Sequence, residues 1–172
     1  MDFYGSLDLP ALKLSLDAAD LERRFHAKSR LLHPDRFARA SAAEQQTALD
    51  ASSVLNDAYR TLRDPLRRAE YVLKLSGFNI GEQGSKDVPA DLLEEVFELN
   101  MALEEAGHED EVAAARERFV EMRDEIDQQL PLLFAAHDEG RQGVLEELRG
   151  LLNRRRYIAN LISTASGEGI RH

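Results

Sequence analysis

The 172-residue chain contains no cysteine. That removes any disulfide framework, any thiolate metal site and any cysteine nucleophile. It fits a reducing compartment. Long apolar runs are also missing: none approaches the roughly 20 residues that cross a bilayer. The start, Met1-Asp2-Phe3-Tyr4, lacks the charged beginning and apolar stretch of a signal peptide. The expectation is a soluble, cytoplasmic protein. No strand-period hairpin, internal repeat or low-complexity tract interrupts the pattern. No glycine-rich phosphate loop or nucleophile motif is visible. His108 and His137 have no ligand spacing between them, so neither a resident metal nor a cofactor is expected.

What is present is helix. Apolar residues make up 43% of the chain, enough for a core. The net charge of −10 is shared unevenly. Residues 1–77 carry 12 Lys and Arg against 11 Asp and Glu, while residues 78–172 carry 10 against 21. Two parts with different partners are implied. The acidic second part disfavours extended nucleic-acid binding, which depends on basic charge.

The punctuation gives the elements. Asp2 to Leu7 reads as a short helix ended by Leu9-Pro10, and residues 11–16 as a loop. Asp17 is a good N-cap, with Asp20 in the first turn, for a helix that runs to about Leu32. Leu21, Phe25 and Leu32 form its apolar side. Arg23, His26 and Arg30 form a basic stripe, flanked by Arg24 and Lys28. His33-Pro34-Asp35 follows. A proline cannot continue the helix and pushes the residue before it out of the α region, so the tripeptide belongs on a displayed turn. Ser41 with Glu44 makes a capping box for a helix to about Arg63, with the apolar line Ala48, Ala51, Leu55, Ala58 and Leu62. The two helices make an antiparallel hairpin. Asp64-Pro65 starts another helix, to about Ser76, and Gly77 closes it. Residues 77–89 read as a linker.

The second part is helical by pattern: about Ala90 to Ala106, Glu109 towards Gln129, and Val144 to Thr164. Pro131 is expected to end or kink the middle helix, with a shorter piece continuing to about Glu139. Val112, Phe119, Met122, Ile126 and Leu130 line its inner face. The tail from Ser166 reads as frayed. Three antiparallel helices form a minimal bundle.

Within residues 1–76 the order is specific. A basic helix, His33-Pro34-Asp35, Leu55-Asn56-Asp57-Ala58-Tyr59, Arg63-Asp64-Pro65 and Arg67-Arg68-Ala69-Glu70-Tyr71 together resemble the J-domain of DnaJ-type co-chaperones. The resemblance implies docking on a DnaK-class chaperone and stimulation of its ATPase. His33, Pro34 and Asp35, with Arg23, Arg24, Lys28 and Arg30, are the implied contact residues. A basic stripe suits steering toward an acidic patch. None of these groups breaks bonds here; they bias a conformational equilibrium in the partner.

A J-domain followed by a small acidic three-helix bundle, without glycine-rich or zinc-binding segments, resembles the HscB family of iron–sulfur cluster co-chaperones. Arg67 to Leu73 and Leu92 to Leu103 carry that likeness. It implies two partners, an HscA or DnaK-type chaperone and the cluster scaffold IscU. The implied architecture is all-α: J-domain 1–76, linker 77–89, scaffold-binding bundle 90–172. In the helix from Ala90, Leu92, Val96, Leu99 and Leu103 make a core seam. Leu93, Phe97 and Met101 form a second line rotated by about 100°. Three helices rarely bury both, so the second line reads as an exposed partner patch rimmed by Glu98 and Glu105. The resemblance places Leu93, Phe97, Glu98 and Glu105 on scaffold contacts and matches Tyr157 to an aromatic of the last helix. Glu94 and Met101 depart from it, standing where the family tends to have an apolar and an acidic residue. Arg154-Arg155-Arg156 reads as a solvated or ion-paired run. Rival readings are a J-protein with another client, an enzyme using His33 and Asp35 as acid and base, and a nucleic-acid binder.

Overall fold

The computed structural model describes residues 2–10, 12–79, 90–105 and 107–167. The elements in order are α1 (Phe3–Ser6), α2 (Ala18–Leu31), a 3-10 turn (Pro34–Phe37), α3 (Ala42–Leu62), α4 (Pro65–Leu75), a second 3-10 turn (Ala90–Leu92), α5 (Leu93–Glu104), α6 (Glu109–Asp138) and α7 (Val144–Ala165). The described residues hold helices and no strand. Most of the linker expected at 77–89, and the tail beyond Gly167, lie outside the described residues.

The caps read from the sequence close these helices. The Asp17 carboxylate accepts from the Ala19 and Asp20 N–H groups. The Asp64 carboxylate does the same for Leu66 and Arg67, with Pro65 at the first helical position. At Ser41 the box is reciprocal: the hydroxyl accepts from Glu44 N–H while the Glu44 carboxylate accepts from Ser41 N–H at 2.8 Å. Those bonds to Ser41 hold the Glu44 carboxyl below the ordinary glutamate value. Gly77 follows α4 at φ +86°, a conformation that costs other residues a Cβ clash.

Antiparallel α2 and α3 pack through Leu21, Leu55, Ala58 and Leu62, with the Phe25 and Tyr59 rings stacked at 4.2 Å. Ala51, expected on this seam, is exposed instead; it shares the face of Ala48 and Leu55 but lines an open groove with Leu31, Leu32 and Val54. On α4, Tyr71 stacks on Phe3 at 4.7 Å and accepts a hydrogen bond from Phe3 N–H, which fixes α1.

In the second part α5, α6 and α7 form the bundle. Of the two outcomes expected at Pro131, an end or a kink, the end does not occur. Pro131 lies inside an unbroken 30-residue α6. A proline there removes one backbone bond and crowds the preceding turn. Ile126 and Leu130 before it, and Leu133 and Phe134 after it, are all buried on one face. Ending the helix would expose that second apolar pair, so packing outweighs the local preference.

The two parts share one core. A contiguous set of buried side chains runs from Tyr4 and Leu14 through Val72 and Leu73 to Phe134 and Ile158. Polar contacts reinforce it. The Asp138 carboxylate at the end of α6 accepts from Leu14 N–H at 2.9 Å and Ser15 N–H at 2.8 Å. His137 Nε2 donates to the Leu12 carbonyl at 3.2 Å. The buried Arg68 of α4 donates to the Leu62 carbonyl at 2.7 Å and lies over the Phe134 ring. Burial lowers the Arg68 value, though its charge remains. Arg156 on α7 pairs with Glu70 on α4.

Candidate functional site

Two exposed features stand on this frame, one on each part. The first is the hairpin tip. α2 ends at Leu31, and Leu32 N–H bonds back to Lys28. His33 is extended, as a residue before proline must be, and Pro34 opens the 3-10 turn. His33 Nδ1 accepts the Asp35 N–H at 3.2 Å, so the imidazole caps the turn that follows it. The turn is tied to α3 by Gln45, whose amide donates to the Phe37 carbonyl at 3.0 Å. The Asp35 carboxylate lies 3.5 Å from His33 Nδ1, and its side chain is 92% exposed.

The basic residues of α2 divide into two kinds. Arg23 points outward, 76% exposed, with only Asp20 beside it. Arg30 is exposed and makes no polar contact among the described residues. Arg24 and Lys28 are half-exposed and paired along the chain after α1. Arg24 pairs with Asp20 at 2.7 Å and donates to the Asp8 carbonyl at 2.7 Å. Lys28 pairs with the Asp8 carboxylate at 2.9 Å. Both therefore hold the chain after α1 against α2. Sequence reasoning placed them on the outward stripe because Asp8 is twenty residues from Lys28 and helical spacing does not register it. It passed over Arg36 and Arg39, which stand exposed on the loop itself. Their adjacency to His33-Pro34-Asp35 was the signal.

The second feature is the outer face of α5. Leu92, Leu99 and Ala102 are buried, whereas Leu93, Phe97 and Met101 are exposed, Phe97 by 65%. Leu103 is exposed as well, which corrects its place in the core seam. The inward stripe moves from Leu99 to Ala102 by three residues, and α5 ends two residues later, leaving Leu103 on the outside. Glu98 faces Arg118 of α6 at 3.5 Å. Glu105 pairs with His108 at 2.9 Å, and the other ring nitrogen of His108 meets Glu111 at 2.8 Å. The hydrogen bond to Glu111, with the charges of both carboxylates, raises the His108 pKa above its ordinary value. Between α5 and α6 lies a cleft of about 450 Å³ with Phe97, Met101, Ala102, Ala114 and Ala115 in its walls.

Tyr157 is half-buried on α7, packed against the core. One turn before it, Arg154 holds Asp91 through both carboxylate oxygens at 2.9 and 2.7 Å, two residues ahead of Leu93. Arg155 pairs with Asp127 at 2.6 Å. The arginine run is thus ion-paired throughout, with partners on three different elements.

Residues 88–166 match a family model described as the HSCB C-terminal oligomerisation domain. A co-chaperone protein HscB homolog from Paraburkholderia xenovorans is 35% identical over 150 residues, spanning 87% of this chain and 85% of the relative. The chain belongs to the HscB family. A second HscB homolog, from Burkholderia multivorans, is 37% identical over the same length. Among solved structures, the chaperone HscB from Vibrio cholerae superposes with a TM-score of 0.63 at 27% identity, covering 98% of this chain and 97% of that one. The human co-chaperone HscB gives 0.71 at 28% identity, covering 98% and 82%. The all-helical architecture is the HscB one, and the relatives are co-chaperones rather than enzymes. No helix among the described residues is long and apolar enough to cross a membrane.

Proposed function

We propose that this HscB-family protein stimulates the ATPase of an HscA or DnaK-type chaperone and delivers an IscU-type scaffold to it, assisting maturation of iron–sulfur proteins. In this reading residues 1–76 act as the J-domain and residues 90–172 bind the scaffold. His33, Pro34 and Asp35 engage the chaperone, with Arg23 and Arg30 steering the approach. Arg24 and Lys28 contribute by holding α2 in place. Leu93, Phe97, Met101, Glu98, Glu105 and Tyr157 form the scaffold face.

The observation that carries the reading is that Asp35 and Phe97, one on each part, are both left exposed on well-packed elements. An exposed carboxylate on a proline-fixed turn suits an arginine of the partner. An apolar row on a short amphipathic helix suits an apolar groove or sheet of the client. The test is a chaperone ATPase assay with and without the scaffold protein. His33→Gln or Asp35→Asn should abolish stimulation while scaffold binding survives. Unchanged stimulation sinks the first half. Leu93→Ala with Phe97→Ala should weaken scaffold affinity at least about tenfold by calorimetry, a loss of about 1.4 kcal/mol. Wild-type affinity in that variant points to a different client.

A further inference from the structure

The segment 88–115 carries nine Asp and Glu and neither Lys nor Arg. The cleft between α5 and α6 is lined by this segment and by Arg118 beyond it, at the edge of the Phe97 and Met101 row. Its floor is apolar and made by small side chains, Ala102, Ala114 and Ala115, beside Leu99. Its rim is charged: Glu98 and Glu105 from the α5 side, Glu111 and Arg118 from α6. His108 stands between Glu105 and Glu111 and touches both. A long aliphatic stem would fit the alanine floor, and a cation at its tip would meet the carboxylates.

We propose that this cleft takes a lysine or arginine side chain of the scaffold docked on α5, whose cation takes the place of the His108 imidazole between Glu105 and Glu111. The proposal rests on the scaffold reading above and names the chemistry of the partner surface: apolar at its centre and basic at its edge. A second copy of this chain fits poorly, since it would set carboxylates against carboxylates.

His108 then competes with the partner. Charged groups around it come from α5 and its end (Glu98, Glu104, Glu105) and from α6 (Glu109, Asp110, Glu111, Arg116, Arg118); α7 contributes only Ala165 nearby. When His108 is protonated it neutralises Glu105 and Glu111 itself. As pH rises through its pKa it releases them, while a lysine or arginine of the partner stays charged to about pH 10. Affinity should therefore rise with pH, and binding at low pH should expel a proton from His108.

The experiment is isothermal titration of the full chain with the IscU-type scaffold protein at about pH 6 and about pH 8, in two buffers of different ionisation enthalpy. The wild type should gain about threefold in affinity across that range, the size of an exposed ion pair. His108→Gln should bind at pH 6 as the wild type does at pH 8, with no proton release. Ala114→Leu keeps a good helix former at an exposed position and fills the cleft, so it should weaken binding about tenfold with the melting temperature held. Wild-type pH dependence in His108→Gln, or wild-type affinity in Ala114→Leu, overturns the proposal. If sedimentation shows a dimer that Ala114→Leu disrupts, the occupant is a second copy and the proposal fails. Failure of the scaffold reading itself shows separately: Leu93→Ala with Phe97→Ala would then leave affinity intact.

Discussion

Arg23 and Arg24 are neighbours with different work to do, and single substitutions should separate them. Arg23→Ala removes an outward charge and should slow association with the chaperone, more at low salt than at high, without moving the stability. Arg24→Ala removes the bonds to Asp20 and to the Asp8 carbonyl. It should cost about 1 kcal/mol in urea denaturation. Equal stability of the two variants would refute the division. His108 gives a second test at this scale. Its folded value is raised above the ordinary 6.5, so its contribution to stability is complete below the unfolded value and is lost as pH rises through the folded one. A titration of its ring protons by NMR should place the midpoint above 6.5, and a midpoint at or below it contradicts the Glu105 and Glu111 contacts. Residues such as His33 and Asp35 were legible in the sequence because the groups that shape them are adjacent to them. Asp8 with Lys28 was not, because the pairing crosses a loop whose path helical spacing does not encode.

Helices α1 to α4 could be read nearly residue by residue, because Asp17, Ser41, Asp64 and Gly77 are caps with a mechanism. The sequence left Pro131 between an end and a kink, and α6 does not end there; it missed the exposure of Leu103, where tertiary packing decides. Pro131 sits exposed about two turns before the end of α6, with Leu130 buried before it and Leu133 and Phe134 buried after it. Pro131→Ala restores the missing backbone bond to residue 127 and should stabilise the protein by about 1 to 3 kcal/mol. A fall in the urea midpoint would show instead that α6 needs the distortion. Leu103 teaches the complementary lesson: a strict heptad-like seam assumes that a helix continues, and α5 ends at Glu104. The exposed face of α5 was legible as an excess of apolar lines over what three helices bury. The cleft beside it was not, since it depends on alanines from α5 and α6 facing one another.

At the scale of the whole molecule the strongest feature is the seam between the two parts. Asp138 contributes to it through Leu14 and Ser15, well over a hundred residues away in the chain. Asp138→Ala leaves both N–H groups without a protein acceptor and should cost about 1 to 3 kcal/mol. Hydrogen exchange at Leu14 and Ser15 should accelerate with it; unchanged exchange at both amides would show that the seam is held elsewhere. The sequence reads 77–89 as a linker, and among the described residues Arg68, Phe134, Asp138 and Arg156 with Glu70 attach the two parts directly. Under the proposed function this bears on how cargo would reach the chaperone. In a tethered pair the local concentration of cargo at its acceptor depends on how long and how supple the tether is. Here the spacing between the hairpin tip and the α5 face is set by packed side chains, like the fixed opening of a spanner. Extra glycines and serines spliced between Asn79 and Ala90 should then leave the coupling of cargo to ATP turnover unchanged, whereas a single break at Asp138 should loosen it.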